Sequence, residues 1–450
     1  MSRASKHNSK TEMDIESQIR VNENDDGVVS GCEERCSSIN DDNDILTASP
    51  TSSVLGHQET RKCFQVLDII LDNLHPMHFV ITMGVGITSG ILYNFPIECI
   101  RHGSRYLGIA YFYINLTCFI VIHLLFIMKY FFLCDRYKTS FKDVLYDHRL
   151  NVFLGCEVMG TSTLINMIYF MRPDWYVFVY VLWWINVAFS ILVGWGVTFL
   201  MFACNKIRPE DINATILLPI VTLTVVASTG SLISVSFMDN PKWQISSNII
   251  TFLLFANAVV LSIFIVSVYF ERLFIHGLPP KPAIYTCFIP IGILGQGGWA
   301  IQLNYKDVGH FIAHHSGLKW MGLGTDYSQE ILLSIESVLN FFGVCIALVL
   351  ASVGVCFTVI SFMSVIYCGK PPTFIRTMWA STFPLGTMAL SFNEMFKTTN
   401  IQGFHIVGTI YSVMLFLITT YCLINTVIFE IPFGKIRNVC HQDATKVTEN

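Results

Sequence analysis

The sequence predicts an all-α integral membrane protein: ten transmembrane helices in five hairpins around a central pore, with an inner ring of kinked odd-numbered helices. Three observations carry this. The 450 residues are 53% hydrophobic and only 13% charged, with 35 Phe and a mean hydropathy of +0.54, where a soluble chain would carry about a quarter charged residues. Ten long apolar runs follow one another with short polar breaks. Every odd-numbered run also carries glycine and hydroxyl or amide side chains near its middle, and the even-numbered ones are more uniformly bulky.

The charges divide the chain. Residues 1 to 72 hold 14 acidic and 7 basic side chains, the remaining 378 hold 18 and 21. The first segment is rich in Ser, Asn and Asp and poor in aromatics, so residues 1–74 read as a disordered cytosolic tail. It lacks the apolar stretch and cleavage site of a signal peptide. Residues 75–430 form the membrane domain, and 431–450 a short second cytosolic tail.

About 20 apolar residues cross a bilayer as a helix. That ruler gives spans near 76–95, 106–132, 151–171, 176–203, 214–237, 245–270, 283–303, 330–367, 375–396 and 402–429. The eighth is too long for one upright crossing, so part of it tilts or projects. An even count places both termini on one side. With that side cytosolic, the inner loops carry 11 Lys/Arg against 7 outside, in the direction the positive-inside rule requires.

The odd runs read MGVGITSG (83–90), GCEVMGTSTLIN (155–166), VVASTGSLIS (225–234), IPIGILGQGGWAIQ (289–302) and TFPLGTMALSFN (382–393). Their central glycines, Gly86, Gly160, Gly230, Gly295 and Gly386, are spaced by 74, 70, 65 and 91 residues. Polar, irregular backbone at membrane depth is tolerated where it is buried in protein or lines a cavity. Five such helices in a ring would enclose a path, with Pro290 and Pro384 bending two of them. Close packing of small residues is the competing explanation. Ser228, Thr229, Gln296, Thr387 and Asn393 then offer neutral hydrogen-bonding groups to a passing solute. Glu157, Glu336 and Glu394 are the carboxylates within spans, and Glu157 is a candidate for anion or proton coupling. Weak, uncharged sites suit throughput, and an inside-negative membrane drives anions outward. The residues therefore indicate a conduit for an anion or a neutral solute.

Other chemistries find little support. The chain has no G-x-x-x-x-G-K-[ST] loop for nucleotide phosphates. Cys32 and Cys36 are an isolated C-x-x-x-C pair among 14 scattered cysteines. His310-Phe-Ile-Ala-His314-His315 and His75-Pro-Met-His78 echo the histidine boxes of membrane di-iron enzymes, but the predicted topology puts them on opposite faces. No enzyme activity, cofactor, metal or nucleic-acid partner is expected.

The blocks MGVGITSGILYNFP (83–96), YVLWW (180–184), GWG (194–196), GQGG (295–298) and TFPLGTMALSFNE (382–394) resemble the tellurite-resistance and dicarboxylate transporter family, which includes the plant slow anion channels. Within it the likeness falls on the fungal sulfite efflux pumps and spans residues 75 to 430. The resemblance implies ten helices in five hairpins, one pore per subunit and a homo-oligomer. It implies sulfite or hydrogensulfite efflux across the plasma membrane, giving sulfite tolerance; malate-like dicarboxylates or other small anions are the alternative cargo. A phenylalanine of the ninth helix occludes the family's channels, and Phe383, directly before Pro384, resembles it. One departure is Val158-Met159-Gly160, where these pumps tend to carry a proline before the glycine; it bears on how strongly the third helix bends and makes Glu157 the least transferable of the site residues.

Overall fold

The computed structural model describes residues 65–204, 207–237, 240–314, 328–369 and 373–430. Cys32, Cys36, His315 and the 431–450 tail lie outside the described residues. Ten long helices stand out among those described: α1 Phe79–Tyr93, α2 Glu98–Ile127, α3 Leu154–Met171, α4 Tyr176–Ile191, α5 Leu218–Ser234, α6 Pro241–His276, α7 Ile289–His314, α8 Gln329–Cys368, α9 Thr382–Thr399 and α10 Gln402–Asn425. Nine of the regions containing them are long and apolar enough to cross a membrane. The exception is α9, whose Thr, Ser, Asn, Glu and Lys lower its apolarity, although 12 of its 18 residues are buried. At about 1.5 Å per residue the 40-residue α8 is near 60 Å long, twice a bilayer core.

Burial separates two kinds of helix. The apolar windows of α1, α3, α5 and α7 are 72 to 89% buried, while those of α2, α4, α6, α8 and α10 are 22 to 33% buried. The second group turns Leu124, Phe264, Val349 and Leu417 outward, each at least 60% exposed. Side chains of that kind belong against lipid rather than water. Packing links the inner helices in sequence: α1 meets α3, α3 meets α5, α5 meets α7, α7 meets α9, and α9 returns to α1. Each also packs on the long helix that follows it in the chain.

Two expectations are corrected. The tail does not stay irregular to residue 74: residues 65–73 are helical, with Leu71 and Leu74 buried. Asp68 in this helix accepts from Tyr137 Oη at 2.8 Å and pairs with Arg136. The apolar run around Leu67, Ile70 and Leu71 supplies the buried face.

The expected kinks are also displaced. Pro219, Pro290 and Pro384 all stand in the first turn of α5, α7 and α9, directly after 3-10 segments at Ala214–Leu217, Lys281–Phe288 and Arg376–Ser381. A proline there forfeits no helical hydrogen bond, because first-turn N–H groups have no partner within the helix. The inner helices then run on as continuous α-helix, α3 included, despite its missing proline. Departures from α geometry fall in the outer layer instead, as π turns at Met128–Phe132, Leu192–Val197 (the GWG block) and Thr426–Glu430.

Candidate functional site

The inner ring is closed by an interlock of threonine and glycine. Thr82 Oγ1 lies 2.5 Å from where a methyl group on Gly160 would sit, and Thr387 Oγ1 bears on Gly295 at the same distance. Thr163 occupies the space beside Gly86, and Thr382 that beside Gly84. These hydroxyls donate backwards to carbonyls of their own helix, Thr82 to Phe79, Thr163 to Gly160, Thr382 to Trp379 and Thr387 to Pro384, each at 2.7 Å. The polar groups are thereby satisfied, and only compact methyl and hydroxyl bulk meets the facing glycine.

The five N-terminal ends converge on one cavity of about 370 Å³. Met77, Val80, Met83, Phe153, Met159, Val221 and Ile289 give it an apolar wall, with Ala380, Phe383 and Pro384 from the start of α9. Its polar residues come mostly from the connecting segments: His148, Arg149, Glu210, Asp211, Asn213 and Thr377, together with Arg272 near the end of α6. One layer further along the same helices is a second space of only about 20 Å³, bordered by Gly86, Ile87, Thr163, Asn166, Val225, Gln296, Trp299 and Leu390. That volume holds about one water. Phe383 borders both spaces and is 2% exposed. Phe383 thus borders both a vestibule wide enough for a small oxyanion and a chamber too small for one.

The expected site residues separate accordingly. Phe383 and Pro384 line the vestibule, while Gly86 and Gln296 line the chamber. Gln296 Nε2 donates to Ser228 Oγ, which itself donates to Val225 O at 2.8 Å; Gln296 Oε1 has no partner. Asn166 Oδ1, at the same chamber, is unpartnered too.

The other glycines are corrected from pore lining to packing. Gly160, Gly230, Gly295 and Gly386 border neither space; each receives a neighbour, Gly230 taking Trp183 and Thr251 of the outer helices and Gly386 taking Ile87 of α1. Thr387 is spent on the α7 seam, and Thr229 bonds Val225 O at 3.1 Å. Asn393 turns toward α10, where its amide reaches Ser412 Oγ at 3.5 Å. Glu157 turns toward α2, accepting from Thr161 Oγ1 at 3.1 Å and meeting His123 Nε2 at 3.3 Å. Glu394 is buried between Lys397 at 2.9 Å and Lys306 at 3.7 Å.

His75 and His78 have a local task. Met77 N donates to His75 Nδ1 at 3.0 Å and His75 N donates to His78 Nδ1 at 3.1 Å, a reciprocal cap on the turn that enters α1. His310 and His314 stack at 4.2 Å on α7. No group of three or more metal-type side chains is assembled among the described residues.

The vestibule cations Arg149 and Arg272 escaped the sequence reading. They sit at the ends of apolar runs, where a cation looks like an ordinary interfacial anchor, and only the folding of the 2–3 connection, which carries Arg149, beside the end of α6, which carries Arg272, reveals that they share a cavity.

The family model for the voltage-dependent anion channel, SLAC1, matches residues 73–427. Sulfite efflux pump SSU1 of Candida albicans is 29% identical over 397 residues, 83% of this chain and 77% of that protein. Its namesake in Saccharomyces cerevisiae is 28% identical over 407 residues (78% and 86%), and that of Arthroderma benhamiae 30% over 352 residues (77% and 88%).

Proposed function

The chain belongs to the voltage-dependent anion channel family, and from that premise we propose that it exports sulfite or hydrogensulfite across the plasma membrane and so confers sulfite tolerance. The substrate class rests on relatives named sulfite efflux pumps that align over most of its length. The observation that supports the mechanism is the position of Phe383, which borders both a cavity of about 370 Å³ and one of about 20 Å³.

Passage then has a defined order. The anion enters the vestibule, whose N-terminal helix ends present partial positive charge. Phe383 swings aside, and the anion meets the amide N–H groups of Gln296 and Asn166, whose unpartnered oxygens can accept the proton of hydrogensulfite. Neutral donors hold it weakly enough for release. No step makes or breaks a covalent bond, so the protein acts as a transporter and not as an enzyme. Both termini are cytosolic, the 1–64 segment is a cytosolic extension, and subunits with separate pores assemble as a homo-oligomer.

The test is efflux of sulfite, with malate as control, from cells lacking their own pump, with and without this protein at the surface. Sulfite export that outpaces malate export supports the reading. Malate export without sulfite export would keep the conduit and replace the cargo with a dicarboxylate.

A further inference from the structure

Arg272 stands out among the charged groups of the vestibule. It is 7% exposed and borders the cavity. Its Nη1 donates to Gly277 O and its Nη2 to Glu210 O at 3.2 Å, while Nε has no hydrogen-bond partner. Both partners are neutral carbonyls, so two of five N–H groups are used and the charge is uncompensated. The nearby carboxylates are committed elsewhere. Glu210 Oε1 faces Arg208 Nη1 at 3.7 Å, and Asp211 Oδ2 faces Arg208 Nη2 at 2.8 Å and Arg149 Nη2 at 4.0 Å. Among the described residues no acidic side chain is within ion-pairing reach of Arg272.

A buried guanidinium without a counter-charge is costly to maintain. A soluble domain would answer it with Asp or Glu; here the wall of the cavity is left open to an incoming ion. We propose that Arg272 is the anion-capture residue of the vestibule: its free N–H groups bind the small oxyanion before it reaches Phe383. The transported anion is thus the missing counter-ion. The planar, always-charged guanidinium suits an oxyanion better than an ammonium does. Its anchorage to Gly277 O and Glu210 O fixes it in place without neutralising it. Arg149, on the same cavity but with a side chain 70% exposed and shared with Asp211, steers the ion inward.

This assignment rests on the sulfite-export reading and deepens it. It is tested by following efflux against internal sulfite concentration for the wild type, Arg272→Gln and Arg272→Lys at matched surface amount. A charge-assisted hydrogen bond is worth enough for the half-saturating concentration to rise at least about tenfold in Arg272→Gln. Arg272→Lys should fall between the two, with maximal flux largely kept. An unchanged half-saturating concentration in Arg272→Gln would overturn the assignment.

Because Arg272 also ties two loops, Arg272→Gln could fail to reach the surface. The second measurement uses purified wild type and Arg272→Lys, whose thermal unfolding is followed while sulfite, malate or chloride is titrated. A bound anion raises the midpoint by mass action. The expected result is a shift that needs higher anion concentration in Arg272→Lys. Equal titrations in the two proteins for all three anions would overturn the assignment. If wild-type cells export no sulfite, the function reading fails by itself, and the titration still decides Arg272.

Discussion

Phe383 is held at 2% exposure where five helix starts converge, and Pro384 behind it lies in ordinary contact with Gly292, 3.7 Å from a methyl built there. Removing the ring joins the vestibule to the chamber without disturbing a hydrogen bond. Phe383→Ala should therefore raise basal anion flux several-fold with unchanged ion preference, because the groups at the chamber remain; flux measured at matched surface expression checks this, and an unaltered flux would remove the ring from the gate. The glycines predict a different outcome. A methyl on Gly295 would sit 2.6 Å from the backbone N of Met388, which cannot rotate away, so α7 and α9 must separate. Gly295→Ala should cost about 1–3 kcal/mol, as overpacking does, and lower the unfolding midpoint in detergent. Gly292→Ala, with nothing nearer than 3.7 Å, should leave that midpoint within error. The pair separates packing from pore lining at two glycines one turn apart.

At the scale of elements, the entry to α1 depends on a neutral imidazole. Burial, then the charges of His78, Arg376 and Lys129, lower the His75 pKa from 6.5 to about 4. Its Nδ1 accepts from Met77 N, and protonation would turn that acceptor into a donor. Since the unfolded chain takes up a proton near pH 6.5 and the folded one only near 4, the unfolded state binds more protons between those values. Stability is therefore full above about pH 6.5 and falls as pH drops toward 4. His75→Asn, which keeps a capping acceptor but does not titrate there, should flatten this part of the pH profile of the unfolding midpoint. An identical acid slope in both proteins would place the sensitivity elsewhere. The same element shows why the sequence could mislead: His75-Pro-Met-His78 has the look of a ligand pair, yet its spacing serves a three-residue turn. Proline carries the same ambiguity. Pro290 and Pro384 signal a break in any apolar run, but whether they kink a helix or start one depends on the 3-10 segment upstream, which has no periodic signature of its own.

Across the whole molecule, the alternation of small-polar and bulky runs made the two-layer ring legible, because inner helices must approach closely and outer ones must face lipid. Which small residues face the path was hidden. Gly86 and Gly160 both lie in short runs of glycine and hydroxyl residues, and only the rotation of each helix in the ring decides that the first borders the chamber and the second takes Thr82. The vestibule cations were hidden for the complementary reason, being brought together by connections rather than by any one helix. The same limit bears on topology. Apolarity alone finds nine crossing regions among the described residues, and an odd number would leave the two termini on opposite sides of the membrane. α9 fails that measure because of the polar groups that suit it to the ring, where it packs between α7 and α1. If it crosses with its neighbours the count is even and the termini share a side, and the surplus of Lys/Arg in the corresponding loops makes that side the cytosol. Epitope tags at the two ends, probed in intact and then in permeabilised cells, should both be reached only after permeabilisation. One tag accessible in intact cells would mean that α9 does not cross, and the five-helix ring would then lack a transmembrane member at the position of Phe383.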